Sequence, residues 1–172
     1  MRHFLLYIPP DAVWSTLGEL LKGQPNSLRT LPADYVDRER AFVGIGERFF
    51  SAVGAGKSFR FITVFEDSGV ERSSPLHPAV YDTLNGSREE VRRILANLNA
   101  DELSPNELCI LLQLAARALI TFCVEGPKGE VLATVDDTFY WYVSLPDDVE
   151  PELLCGQDDV EILPSIDIFD PA

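Results

Sequence analysis

Four carboxylate doublets are the residues of this chain whose type and spacing come nearest to chemistry: Glu66-Asp67, Asp136-Asp137, Asp147-Asp148 and Asp158-Asp159. Two carboxylates in unlike environments can divide acid and base work or hold a divalent cation. None of the four has the alternating acids of a calcium loop, and solvated turns are the expected setting for doublets in so acidic a chain. Histidine offers less. His3 and His77 are the only two, and neither has a partner at metal-ligand spacing. His77, between Leu76 and Pro78, reads as a solvated turn residue. An enzyme site near His77 would need the fold to bring it beside an acidic pair or a nucleophile.

The segment Gly54-Ala55-Gly56-Lys57-Ser58 has the look of the end of a phosphate-binding loop. Ser51 stands where that pattern needs its first glycine, and the predicted order is helix, loop, strand instead of strand, loop, helix. A glycine that ends a helix accounts for it. Cys109, Cys123 and Cys155 are odd in number, widely spaced and without a CxxC pair, which suits free thiols in a reducing compartment. No catalytic, cofactor-binding or metal-binding residue is predicted, so the chain is read as a non-enzyme that needs no cofactor.

The elements that must position these groups follow from hydrophobic periodicity. Phe4–Ile8 reads as a strand, stopped by Pro9-Pro10. Val13, Trp14, Leu17, Leu20 and Leu21 have helical spacing. A second helix is predicted from Ala33 or Asp34 to about Val53, where Gly44 and Gly46 each cost about 1 kcal/mol relative to alanine and allow a break. Ser58–Glu66 alternates as a strand. Pro78–Leu84 suits a short helical piece. Ser87 with Glu90, and Ser104 with Glu107, are capping boxes that each open a helix, the second with Pro105 at its first position. The second of these helices reaches at least Ala118, and Ile120–Val124 also suits a strand. Glu130–Val135 and Thr138–Leu145 form a predicted hairpin around Asp136-Asp137, with Phe139, Trp141 and Val143 on one face and Tyr140 and Tyr142 on the other.

These elements make a single α+β domain over residues 1–172, with a small, mostly antiparallel sheet and about four main helices. Residues 146–172 are acidic and proline-containing, and their strand character lets them dock as an edge strand. The longest apolar helical stretch, Leu108–Val124, is interrupted by Gln113 and Arg117 and is a core helix, not a membrane span. No secretion signal is read at the N-terminus, which makes the cytoplasm the expected location.

Charge is the strongest functional signal. From Glu125 onward the chain has thirteen acids against one base, Lys128, so that segment holds −12 of a net −14. A field of this sign attracts basic partners and repels nucleic acid and anionic lipid. The expected contact residues are Asp136, Asp137, Tyr140, Tyr142, Asp147 and Asp148: tyrosine supplies rigid contact area and the acids pair with lysine or arginine. In physical character alone, a small acidic domain without catalytic motifs is similar to bacterial immunity proteins, which block a cognate toxin that is often a basic nuclease. That resemblance implies a basic protein partner and transfers no residue roles. The alternative is a secretion chaperone or adaptor for an effector protein. A dimer holding an extended client would mark the chaperone, and a monomer with a folded partner the inhibitor.

Overall fold

The computed structural model describes residues 1–9, 17–21, 24–25, 28, 30–54, 59–66, 79–96, 103–117, 119–136 and 139–164. Six strands, β1 (Arg2–Tyr7), β2 (Arg60–Glu66), β3 (Ile120–Glu125), β4 (Val131–Asp136), β5 (Tyr140–Leu145) and β6 (Glu161–Pro164), form one antiparallel sheet in the order β2-β3-β4-β5-β1-β6. The helices are α1 (Leu17–Leu21), α2 (Ala33–Gly54), α3 (Ala79–Asp82), α4 (Arg88–Ala96), α5 (Pro105–Ala116) and α6 (Glu152–Cys155). The fold is α+β, as the periodicities predict.

The core lies between the sheet and the two longest helices. Leu6, Phe122, Val124, Val135, Trp141 and Val143 are buried on the sheet face that meets α2 and α5. Trp141 is the hub, with ring centroids 5.4 Å from Phe42, 6.0 Å from Phe49 and 6.5 Å from Phe122. Its indole N–H has no hydrogen-bond partner among the described residues. Such an orphan costs about 1–3 kcal/mol, so the ring is held there by its volume.

The two glycines of α2 do not break it. Gly46 sits where α2 crosses both α5 and the sheet: a Cβ there would lie 2.6 Å from a Leu112 methyl and 2.9 Å from the Trp141 ring. The helix tolerates its weak former because only glycine allows that approach. α5 stops at Ala116, capped by Arg117, and Ile120–Glu125 is strand β3. Both capping boxes form. Glu90 N–H donates to Ser87 Oγ at 3.2 Å and Ser87 N–H to Glu90 Oε2 at 2.7 Å. The matching distances at Ser104 and Glu107 are 3.3 and 2.8 Å.

Phe139 leads into β5 with φ of 62°, unusual for a residue with a side chain. Its ring is fully buried, edge-on to Tyr35 and Phe42, with the Arg38 guanidinium 4.2 Å from its centroid. Burial of the ring holds the backbone in the left-handed region and aims the next strand so that Trp141 faces the core.

Candidate functional site

The sequence-predicted contact residues fall into two groups at opposite ends of β5. At one end, Asp136 pairs in register with Tyr140. Tyr140 and Tyr142 are half-buried on the sheet face opposite the core, as the alternation predicts. There they extend a ring stack that includes Tyr7: Tyr7 to Tyr140 is 4.4 Å at 12°, and Tyr140 to Tyr142 is 6.3 Å at 17°. Asp137 lies outside the described residues, as do His77 and the Ala55–Ser58 part of the glycine-lysine segment. Asp147 and Asp148 follow the other end of the strand. At roughly 3.3 Å per residue, β5 alone separates the groups by about 17 Å.

Around Asp147 and Asp148 the chain builds a fixed acidic cap, residues 146–161. Two arginines hold it down through its backbone. Arg2 donates to Asp147 O at 3.1 Å and Val149 O at 2.9 Å, and its guanidinium meets the Glu150 carboxylate at 3.2 and 3.3 Å. The N-terminal ammonium is 3.6 Å from Asp147. From α2, Arg48 donates to Leu154 O at 2.6 Å and Cys155 O at 3.1 Å, the carbonyls at the end of α6, and to Asp158 Oδ2 at 2.9 Å. A cation at a helix C-terminus satisfies carbonyls that the helix leaves open. Gly156 makes this possible: its φ is 64°, and a Cβ there would lie 2.8 Å from Arg48 Nη1.

The cap turns a defined outer surface to solvent. Leu154 and Cys155 are buried beneath it. Leu153, between them and Glu152, is 63% exposed. Asp148, Glu152, Asp159 and Glu161 are exposed and form no ion pair with the described residues. Leu163 on β6, just past the cap, is also exposed.

An open groove of about 790 Å³ lies between α2 and α5. Its floor is a buried polar network. Arg117 clasps Glu39 with two hydrogen bonds of 2.7 and 2.8 Å and reaches Thr83 Oγ1 at 3.0 Å. Gln113 donates to Glu39 at 3.0 Å and accepts from the Asn85 backbone at 3.2 Å. Tyr35 donates to Ala116 O at 3.2 Å, and burial, then the Glu39 charge, pushes its hydroxyl pKa far up. Burial likewise raises the thiols of Cys109, which also lines the groove, and Cys155. These thiols stay protonated at neutral pH and make poor nucleophiles. All three cysteines are free.

Among the described residues no cluster of three or more metal-ligating side chains forms. His3 Nδ1 is 2.9 Å from Ser144 Oγ, but Ser144 is fully buried and presents no nucleophile to a substrate. Among the described residues no helix is long and apolar enough to cross a membrane. No protein-family model matches the chain, and no curated protein or solved structure matches it either.

Sequence reasoning missed Arg48, Leu153 and the Glu39–Arg117 pair. One signal was present: Gln113 and Arg117 stand four apart in an otherwise apolar helix, so they share a face that must meet polar groups. Nothing local marks Arg48 as the clamp of a segment 106 residues downstream.

Proposed function

We propose that this protein is an acidic protein-binding module that docks a basic partner on the cap at residues 146–161, in the manner of an immunity-type inhibitor blocking a toxin. The observation that carries the reading is an exposed Leu153 in a segment whose Asp148, Glu152 and Asp159 are also exposed and form no ion pair with the described residues, on backbone already fixed by Arg2 and Arg48. An apolar centre inside a charged rim is the anatomy of a protein interface, and a pre-ordered loop loses little entropy on binding. The acids steer a basic partner toward the cap, and Leu153 is the side chain it buries. A nuclease toxin, whose active site is built for phosphate, is a partner of the required charge. Asp147 serves by holding the N-terminus, and Asp148 makes the contact. Tyr140, Tyr142 and Asp136 belong to the far end of β5, a second point of contact for a large partner.

The test is affinity capture from host lysate at low and high salt with the wild type, with Leu153→Asp and with Asp148→Asn/Glu152→Gln/Asp159→Asn. The expected result is one stoichiometric basic protein, held at low salt, weakened at high salt and lost from both variants. Capture that both variants retain would overturn the placement on the cap, and absence of any partner would overturn the binding role.

A further inference from the structure

The alternation of β1 puts His3, Leu5 and Tyr7 on the sheet face opposite the core, and the register carries each position across the neighbouring strands. Tyr7 stands opposite Tyr140 on β5 and opposite Glu161 on β6, so one row across the sheet reads Glu161, Tyr7, Tyr140, Asp136. The Tyr140 ring lies parallel to that of Tyr7 at 4.4 Å and covers one of its faces. The other face turns toward β6, and among the described residues it meets no further ring and no cation. Glu161, the residue that ends the cap and begins β6, is exposed and forms no hydrogen bond or ion pair with the described residues. The Cβ atoms of directly opposed residues lie about 4.5–5.5 Å apart, so the Glu161 carboxylate is within reach of a group seated on that face.

These surroundings select the occupant. A group stacked on Tyr7 also covers Glu161 and takes a carboxylate out of water, which is costly unless a charged donor replaces the water. Among the described residues no base of this chain fills that place. His3 is about 13 Å along β1 and is hydrogen-bonded to Ser144. Arg2 is engaged by Glu150, and Arg38 lies on the core side against Phe139. A neutral ring or an anion would leave the carboxylate unanswered. The ring face is the negative side of the aromatic quadrupole and favours a cation, and a planar one continues the parallel stack. We propose that Tyr7 and Glu161 together receive one arginine of the basic protein partner, its guanidinium stacked on Tyr7 and donating to the Glu161 carboxylate. Lysine carries the charge without the plane and fits less well. The inference rests on the protein-binding reading for the source of its arginine. It adds a contact that joins the two acidic regions, because Glu161 closes the cap where the tyrosine stack begins.

The test titrates the isotope-labelled full chain with N-acetyl-Gly-Arg-Gly-amide and follows its backbone amides by NMR. Controls carry neutral citrulline or lysine in place of arginine. The expected result is saturable shifts centred on Tyr7, Tyr140 and Glu161. Affinity should fall about three- to fivefold in Glu161→Gln, in Tyr7→Leu and with either control peptide, the size of effect of one exposed ion pair or cation–π contact. Tyr7→Phe keeps the ring and should bind like the wild type, as should the cap variant Asp148→Asn/Glu152→Gln/Asp159→Asn. Absence of saturable shifts at Tyr7 and Glu161, or shifts indifferent to both Glu161→Gln and Tyr7→Leu, would overturn the proposal. A lysine peptide that binds as tightly as the arginine peptide would overturn the guanidinium stack. Because the probe needs no native partner, a silent Tyr7 leaves cap-dependent capture standing, and failed capture leaves the titration standing.

Discussion

At the scale of single residues, the two α2 glycines separate two roles that sequence cannot distinguish. A methyl at Gly46 collides with Leu112 and Trp141, both fully buried and unable to yield. Overpacking of this kind costs about 1–3 kcal/mol and outweighs the gain of about 1 kcal/mol for alanine in a helix. At Gly44 the nearest atoms, 3.1 Å away, are the end of the flexible Arg48 side chain. Gly46→Ala should lower the urea midpoint and Gly44→Ala should not lower it as far; equal losses would show that the Gly46 crossing is looser than it looks. Tyr35 gives a pH-dependent counterpart. Its hydroxyl stays protonated in the fold well above the ordinary value of 10.0. Above pH 10 the unfolded chain therefore loses a proton that the folded chain keeps, and stability falls as pH rises. Tyr35→Phe should be less stable at pH 7, having lost its hydrogen bonds, yet show a shallower decline above pH 10 in chemical denaturation across pH. A decline as steep as wild type would place the alkaline sensitivity elsewhere.

At the scale of elements, caps and networks decide where helices begin and how they sit. Ser104→Ala should cost about 1 kcal/mol, the usual value of an N-cap, and the loss should appear in global unfolding because α5 is buried along most of its length. α4 buries only Val91 and Ile94, so Ser87→Ala should instead speed amide exchange in its first turn while leaving the global midpoint nearly in place. Hydrogen bonds from the Ser104 backbone and hydroxyl hold the Glu107 carboxyl below its ordinary range. A depressed carboxyl contributes stability above its unfolded pKa and loses it as pH falls through the folded one. The difference between Ser104→Ala and wild type should therefore narrow on acidification below about pH 4, and a constant difference would remove the capping box as its source. These boxes, the strand alternation and the buried face of Trp141 were readable in the sequence, because each depends on neighbours within four residues. The continuity of α2 was not, since Gly46 is explained by Leu112 and Trp141, far along the chain. The grouping of site residues was not readable either. Asp136 and Asp148 look adjacent in sequence, yet a whole strand stands between them, and the arginines that order the cap come from β1 and α2.

At the scale of the molecule, charge is distributed so that its buried and exposed parts act differently. The Glu39–Arg117 pair is almost wholly enclosed and tied to Gln113 and Thr83. Removing one partner leaves a buried charge alone, at about 3–5 kcal/mol, so Arg117→Met should be far less stable than Glu39→Leu/Arg117→Met, which removes both. Asp148, Glu152 and Asp159 of the cap are solvated and pair with none of the described residues, so their neutralisation should leave the unfolding midpoint nearly unchanged and act on encounter with a partner. Charges at a rim act mainly on association rate and its salt dependence, whereas a buried apolar anchor acts on dissociation. With the captured partner in hand, surface plasmon resonance across a salt series should show Asp148→Asn/Glu152→Gln/Asp159→Asn with a slower on-rate and a flatter salt dependence, at a dissociation rate close to wild type. Leu153→Ala should do the reverse, with on-rate and salt slope intact and faster dissociation. If instead the triple variant altered dissociation alone, the acids would be making direct contacts without steering. If Leu153→Ala altered neither rate, the apolar centre of the interface would have to lie off the cap, and the tyrosine stack at the other end of β5 would be the next surface to mutate.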